Sequence, residues 1–235
     1  MNRVEIIRNK EKKYHDLCYE NYKLFEKGSW LYKPVKTVMD LLPLFEGKGN
    51  LKVLDLGSGV GRNSIPIVQG IKSSNGKVVC VDLLDSALDK LKLYSKEYEV
   101  EEIIETKKTD IGYYNIPENE YDFIVAVSTL EHVESKQIFE SVIKQMAFGT
   151  KEEGINCIIV NSEVEEIDIE SNKKLDAMME INIPTQDMMK KLDTIYQGWE
   201  MLNQLVKPLE YKIVRDEKEV LLTTNAVTYV VKKKS

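Results

Sequence analysis

The chain has 235 residues, of which 43% are hydrophobic and 31% charged, with a formal net charge of −6. That length suits one α/β domain with its own core, and the acidic balance disfavours nucleic acid as a general partner. Its apolar runs fall short of the roughly 18 residues that span a membrane, so no membrane partner is expected.

The opening "MNRVEIIRNKEKKYHDL" has no apolar signal region, which makes the cytoplasm the expected location. Residues 5–27 carry apolar positions at helical spacing, and "KPVKTVMDLLPLF" (33–45) reads as a second helix with Pro34 near its start. Apolar runs then alternate with helical patterns. "KVLDLG" precedes a helix over 62–70. "KVVCVDL" precedes "DSALDKLKLYSKEY", with Asp85 or Ser86 as N-cap. "IETKKTD" is a weaker strand; "YDFIVAVS" leads into a helix over 134–147, and "INCIIVNS" follows. Val/Ile-rich runs without polar alternation suggest strands covered on both faces. The rhythm predicts an α/β fold: a Rossmann-like, doubly wound, seven-stranded, mostly parallel sheet. Residues 163–205 break the pattern and read as a helical, Met-rich insertion. The end, "LEYKIVRDEKEVLLTTNAVTYVVKK", reads as strands joined by a charged turn, an antiparallel hairpin that closes the sheet. The expected organisation is one domain: an N-terminal helical cap (1–48), a nucleotide-binding half (49–162), the insertion (163–205) and C-terminal strands (206–235). Cys18, Cys80 and Cys157 lack disulfide or zinc spacing and read as buried thiols, and two histidines, His15 and His132, are too few for a histidine-built centre, so no metal is expected.

The stretch "LKVLDLGSGVGRNSIPIV" (51–68) carries the strongest signal. A strand ends in an acid, Asp55, and Gly57, Gly59 and Gly61 lead into a helix. A phosphate-cradling loop needs Lys and Ser/Thr at its end, where this chain has Arg62 and Asn63. In the dinucleotide fingerprint the third glycine would fall at position 62, which is Arg62.

The pattern Asp-x-Gly-x-Gly-x-Gly resembles the loop of class I methyltransferases that use S-adenosylmethionine. The resemblance implies that Gly57, Ser58, Gly59, Gly61, Arg62 and Asn63 cradle that cofactor, and that Asp55 receives its methionyl ammonium. Glycines admit close backbone approach, and a helix N-terminus suits the methionyl carboxylate. Asp82, at the tip of the second strand beside Leu83, matches the carboxylate that accepts the ribose hydroxyls. Asp110 and Ile111 match the pair that reads adenine. "VSTLEHV" (127–133), with Ser128, Thr129 and Leu130, matches the loop lining the sulfonium. Taken singly, Asp82 or Asp110 also reads as a turn or N-cap residue; what favours the cofactor is four features in order at successive strand ends.

"LDLGSGVGRNSIPI", "YDFIVAVSTLEHVESKQIFESVIKQM" and "LDTIYQGWEMLN" together resemble the tellurite-resistance (TehB-like) methyltransferases over residues 50–232. That implies a small-molecule acceptor. In that family a histidine and arginines of the C-terminal strands are proposed to work at the acceptor; here no histidine follows His132, and Lys212 and Arg215 are the nearest basic residues, so the tellurite substrate does not carry over. Glu131 and His132 are the base candidates by position; their plainer reading is a helix cap and a packing residue. Tyr14, Tyr19, Tyr22, Trp30 and Tyr32, and across the insertion Tyr196, Trp199 and five methionines, are candidate lid residues or simply core. The rival readings are a protein or RNA methyltransferase and a non-catalytic cofactor-binding module. Oligomeric state is not legible.

Overall fold

The computed structural model describes residues 2–71, 75–215 and 218–235. Among these, eight strands form one sheet: β1 (Lys52–Leu56), β2 (Lys77–Asp82), β3 (Ile104–Lys108), β4 (Tyr121–Val127), β5 (Thr150–Asp168), β6 (Lys174–Leu175), β7 (Glu200–Arg215) and β8 (Lys218–Lys232). Their order is β3-β2-β1-β4-β5-β8-β7, with β6 paired to the far end of β5. Pairings from β3 to β5 are parallel, and those of β8 with β5 and β7 are antiparallel. The chain winds outward from β1 to β3, then returns to lay β4 against the other side of β1. This reversal opens a crevice at the carboxyl ends of β1 and β4, where ligands bind in open parallel sheets.

Among the described residues, six helices flank the sheet: α1 (Arg3–Asn21), α2 (Lys36–Leu41), α3 (Ser64–Ile71), α4 (Asp85–Glu97), α5 (Lys136–Gly149) and α6 (Thr185–Ile195). The strands are apolar without alternation because both faces are covered. Val53, Cys80, Phe123 and Val125 pack with Tyr19, Leu41, Ile65 and Leu91 on one face. Leu54, Val81, Ile124 and Ala126 pack with Phe139, Ile143, Met188 and Leu192 on the other.

The architecture is the expected one, with differences that have local causes. The eighth strand is the two-residue β6. The expected helix over 33–45 is reduced to α2 and a 3-10 turn (Leu42–Phe45) with Pro43 near its start, and a separate 3-10 turn (Trp30–Tyr32) precedes it. The expected N-cap at Asp85 or Ser86 falls at Leu84 and carries no side-chain cap; Ser86 Oγ instead donates to Asp16 of α1 (2.5 Å), and Asp85 pairs with Lys108 (2.6 Å).

The largest difference lies in 163–205, expected to be a helical insertion. It holds one helix, α6, between strands. "SEVEEID" continues β5, with Glu166 and Asp168 turned to the buried side, and there they meet Arg215 of β7 (3.1 Å) and Lys218 of β8 (3.4 Å). An acid-rich run looks helical when its paired cations lie some 50 residues away. Asp216 and Glu217, in the expected charged turn, lie outside the described residues.

Candidate active site

The glycine loop between β1 and α3 folds as its composition dictates. Gly57, Gly59 and Gly61 have φ of +70°, +53° and +93°, which side chains disfavour. At Gly57 a Cβ would also stand 2.1 Å from Thr129 Oγ1, so the loop after β4 seats directly on the glycine. At Gly61 it would stand 2.5 Å from Leu91 Cδ1, so this glycine serves the packing of α4. The Gly57 and Ser58 N–H groups donate to Val81 O, which ties the loop to β2.

Above the loop lies a cavity of about 410 Å³, within the range of small-ligand sites. Of the residues expected at the cofactor, Gly57, Ser58, Gly59, Arg62, Asn63, Asp82, Leu83, Asp110, Ile111, Ser128 and Thr129 line it. Asp55, Gly61 and Leu130 do not. Asp55 is buried behind the wall and accepts from Ser64 Oγ (2.6 Å). Burial, reinforced by the Asp82 charge, pushes its carboxyl up to about 7, against the Ser64 hydrogen bond and the Arg62 charge.

Asp82 is held at the tip of β2 by two backbone donors, Gly59 N–H (2.8 Å) and Leu84 N–H (2.9 Å). Burial raises its pKa despite them. Each carboxylate oxygen keeps a lone pair for a ligand hydroxyl. Asp110 Oδ1 accepts from Gly112 N–H (2.8 Å), and its Oδ2 lies 2.8 Å from Arg8 Nη2. Ser58 Oγ is buried in the wall with no hydrogen-bond partner among the described residues.

Arg62 and Asn63 also work as staples. Arg62 Nη1 donates to Trp30 O (2.9 Å) and its guanidinium stacks 5.1 Å from the Trp30 ring centre. Asn63 Oδ1 accepts from Val35 N–H (2.9 Å). The N-terminal segment is thereby fastened over the glycine loop.

The remaining wall joins residues expected as lid or base, Tyr19, Trp30 and His132, to residues that sequence reasoning passed over: Arg8, Glu11, Lys12 and His15 of α1, with Glu180 and Tyr211. The signal was present: positions 8, 11, 12, 15 and 19 lie on one helix face, three or four residues apart. Arg3 anchors the helix by donating to Met179 O (2.9 Å) and Ala177 O (2.8 Å), which brings the loop before α6 against α1. That loop delivers Glu180, whose Oε2 lies 3.0 Å from His132 Nδ1; its Oε1 lies 3.9 Å from Arg8 Nε.

The two base candidates part here. His132 lines the cavity. Burial opposes charge on its ring, but the Glu180 hydrogen bond and the charges of Glu131, Glu180 and Glu11 outweigh it, and its pKa is pushed up to about 9. Glu131 does not reach the cavity. Its buried Oε1 accepts from Asn161 N–H (3.1 Å) and Nδ2 (2.7 Å), clamping the turn after β4 to β5. Nor does it cap α5, whose N-cap is Ser135.

The expected lid residues divide likewise. Trp30 lines the cavity, whereas Tyr14 and Tyr22 are exposed beside it. Tyr196 and Trp199 pack on the α5–α6 face of the sheet, so the lid role expected of them does not hold. Tyr196 OH accepts from Asn156 Nδ2 (3.0 Å) and its ring meets Trp199 and Tyr229. The "YQGW" signal marks the corner from α6 into β7, where Gly198 takes φ +88°. Arg215, the nearest basic residue of the C-terminal strands, is spent on Glu166.

Comparison with known proteins agrees with this geometry. The methyltransferase-domain family matches residues 53–154. No curated protein sequence matches the chain. TehB from Haemophilus influenzae has the same fold, with a TM-score of 0.63 and 22% identity over 85% of this chain; the chain spans only 62% of that one. A SAM-dependent methyltransferase from Methanosarcina mazei gives 0.56 at 14% identity, covering 86% and 99% of the two chains. A protein solved in work on the conversion of a disulfide bond into a thioacetal group during echinomycin biosynthesis gives 0.57 at 13%, covering 95% and 93%. The glycine cradle, the unpartnered Ser58 hydroxyl and the free lone pairs of Asp82 suit an adenosyl amino acid. Residues 53–154 match the methyltransferase-domain family, and this match and the fold shared with SAM-dependent methyltransferases support S-adenosylmethionine as the cofactor.

Proposed function

We propose that the chain transfers a methyl group from S-adenosylmethionine to a small-molecule acceptor held between α1, the loop carrying Glu180 and Tyr211 of β7. The observation that carries this reading is the wall that α1 and the Glu180 loop build opposite the glycine loop. A cavity of about 410 Å³ that must also take the cofactor leaves space for a small molecule only. The acidic balance of the chain supports it against a nucleic acid.

Bound there, S-adenosylmethionine supplies an electrophilic methyl group. In this reading Asp82 holds the ribose hydroxyls, Asp110 and Ile111 meet the adenine, and Ser58 and the loop N–H groups take the methionine end. Trp30 and Tyr19 cover the site and exclude water. Alignment of two reactants in such an enclosure supplies about 7–11 kcal/mol of the barrier reduction.

Asp82→Ala is expected to weaken S-adenosylmethionine binding about 10- to 150-fold, the equivalent of charge-assisted hydrogen bonds worth about 1.5–3 kcal/mol. It also leaves the Gly59 and Leu84 donors unpaired and lowers stability. Asp82→Asn keeps one acceptor for them and separates the two effects by calorimetry alongside thermal melting. Unchanged affinity in both variants would assign Asp82 to the turn alone. The acceptor class is read by incubating an extract with methyl-labelled cofactor and the enzyme. Label is expected in the small-molecule fraction; label confined to protein or RNA would overturn the small-molecule reading.

A further inference from the structure

Two histidines line the cavity, His15 from α1 and His132 from the turn after β4, and they are in opposite chemical states. His132 Nδ1 is engaged by Glu180 at 3.0 Å. A ring held charged to about pH 9 cannot take a further proton at neutral pH. Glu131, the neighbouring carboxylate, is turned into β5. His15, on α1, differs on each count. Its Nδ1 is buried and has no hydrogen-bond partner among the described residues, and its Nε2 faces Glu11 Oε2 at 3.8 Å. The ring is fixed by edge and tilted contacts with Tyr14, Tyr19 and Trp30, at centroid distances of 5.4, 5.6 and 5.8 Å. Tyr19 OH approaches the glycine loop itself, within 3.3 Å of where a Gly59 Cβ would stand. The free ring nitrogen thus belongs to a side chain packed against the residues that cradle the cofactor.

We propose that His15 is the general base of methyl transfer, and that the acceptor is a neutral hydroxyl or amine, whose nucleophilic atom still carries its proton. This rests on the small-molecule transferase reading above. The acceptor atom X forms the X–CH3 bond as the S–CH3 bond breaks. The electron pair of that bond stays on sulfur, giving neutral S-adenosylhomocysteine, and the proton of X passes to His15 Nδ1 and then to solvent. Glu11, beside Nε2, is the counter-charge for the imidazolium formed in passing.

Burial, and then the charge of His132, pushes the His15 ring down to about 4, with Asp16 opposing. The titratable groups around it are Glu11, Tyr14, Asp16 and Tyr19 of its own helix and His132 of the same cavity; with its pKa lowered, the ring is neutral and able to accept at neutral pH. A weak base suffices, because X–H becomes strongly acidic as X acquires the methyl group. The proposal also explains why the acceptor side is built from α1: the base must arrive with the lid that excludes water.

The chain contains only two histidines, which makes the test direct. The protein with labelled histidine is loaded with S-adenosylmethionine carrying a 13C methyl group. Cross-relaxation is then recorded between that methyl and the histidine ring protons, with His15→Gln as the assignment control. A cross-peak to the His15 ring is expected, with its loss in His15→Gln, and a neutral His15 ring at pH 7. Cross-peaks to His132 alone, no cross-peak to His15, or a charged His15 ring would overturn the base assignment while leaving the transferase reading intact. Failure of the wild-type protein to bind S-adenosylmethionine at all would instead remove that reading.

Discussion

Gly57→Ala is expected to weaken S-adenosylmethionine binding at least about 10-fold and to lower the melting temperature by roughly 4–20 °C. Two costs add. The residue has φ +70°, where an L side chain loses about 1–2 kcal/mol. The new Cβ would stand 2.1 Å from Thr129 Oγ1 and 2.5 Å from Thr129 Cβ, and relieving such overpacking costs about 1–3 kcal/mol. At roughly 2–4 °C per kcal/mol for a chain of this size, the sum gives the stated range. Binding suffers more, because the loop or Thr129 must move and both line the cavity. Losing one or two charge-assisted hydrogen bonds at about 1.5–3 kcal/mol each weakens affinity by about 10-fold to about 10,000-fold. Gly47→Ala is the control. Gly47 also has positive φ, +80°, but nothing lies within 4 Å of its Cβ position; it should lose about 1 kcal/mol and bind normally. Calorimetry and thermal melting on the pair decide the matter. Equal behaviour of the two variants would mean that backbone strain, not the seating of Thr129 on Gly57, is what the glycine provides.

How much of this was legible in the sequence follows the range of the interactions. The nucleotide-binding half was read in order because its signals are local. Strands buried on both faces give unbroken apolar runs, and the loop needs glycines at adjacent positions. Eleven of the expected cofactor residues meet in one cavity because strand tips in a parallel sheet are brought together by the sheet itself. Asp55 broke the pattern. Its place at the strand end was right, but Ser64, nine residues on, claims its carboxylate.

The acceptor side was legible only in part, because its contacts span the chain. The Glu180–His132 pair joins residues 48 apart, and Arg3 reaches Met179 over 176. No window of sequence holds both partners. The aromatic composition of the N-terminus pointed to a lid, yet the chemistry there is carried by the polar face of α1, with Arg8, Glu11 and His15. Tyr196 and Trp199 misled for the opposite reason. A short motif can be distinctive because it builds a corner of the core, and here Asn156 and Tyr229 fix that corner beneath the sheet.

Glu180→Gln is expected to lose about 3–5 kcal/mol of stability near pH 6, and to remove most of the dependence of stability on pH between 6.5 and 9. Glu180 is buried, with 1% of its side chain exposed, and it is the partner of His132 (3.0 Å) and a neighbour of Arg8 Nε (3.9 Å). Taking away one member of such a buried group leaves the others as uncompensated charge, which costs about 3–5 kcal/mol. The sign of the pH effect follows from the direction of the shift. The folded-state pKa of His132 is raised, from 6.5 to about 9. Its contribution is therefore fully present below pH 6.5 and fades as pH rises through 9, by up to about 3 kcal/mol. His15 acts in the other direction, because its folded-state pKa is lowered, to about 4. Its effect is a loss of stability as pH falls from 6.5 toward 4. The two slopes meet near pH 6.5, so the wild-type protein should be most resistant to urea there. Unfolding curves collected from pH 4 to 10 on wild type and Glu180→Gln isolate the alkaline slope, which the variant should lack while keeping the acid one. A wild-type profile that stays flat or rises between pH 6.5 and 9, or an alkaline slope of equal size in the variant, would show that His132 is not held charged by Glu180. The acceptor site would then offer two neutral histidines, and the division of labour between them would fall.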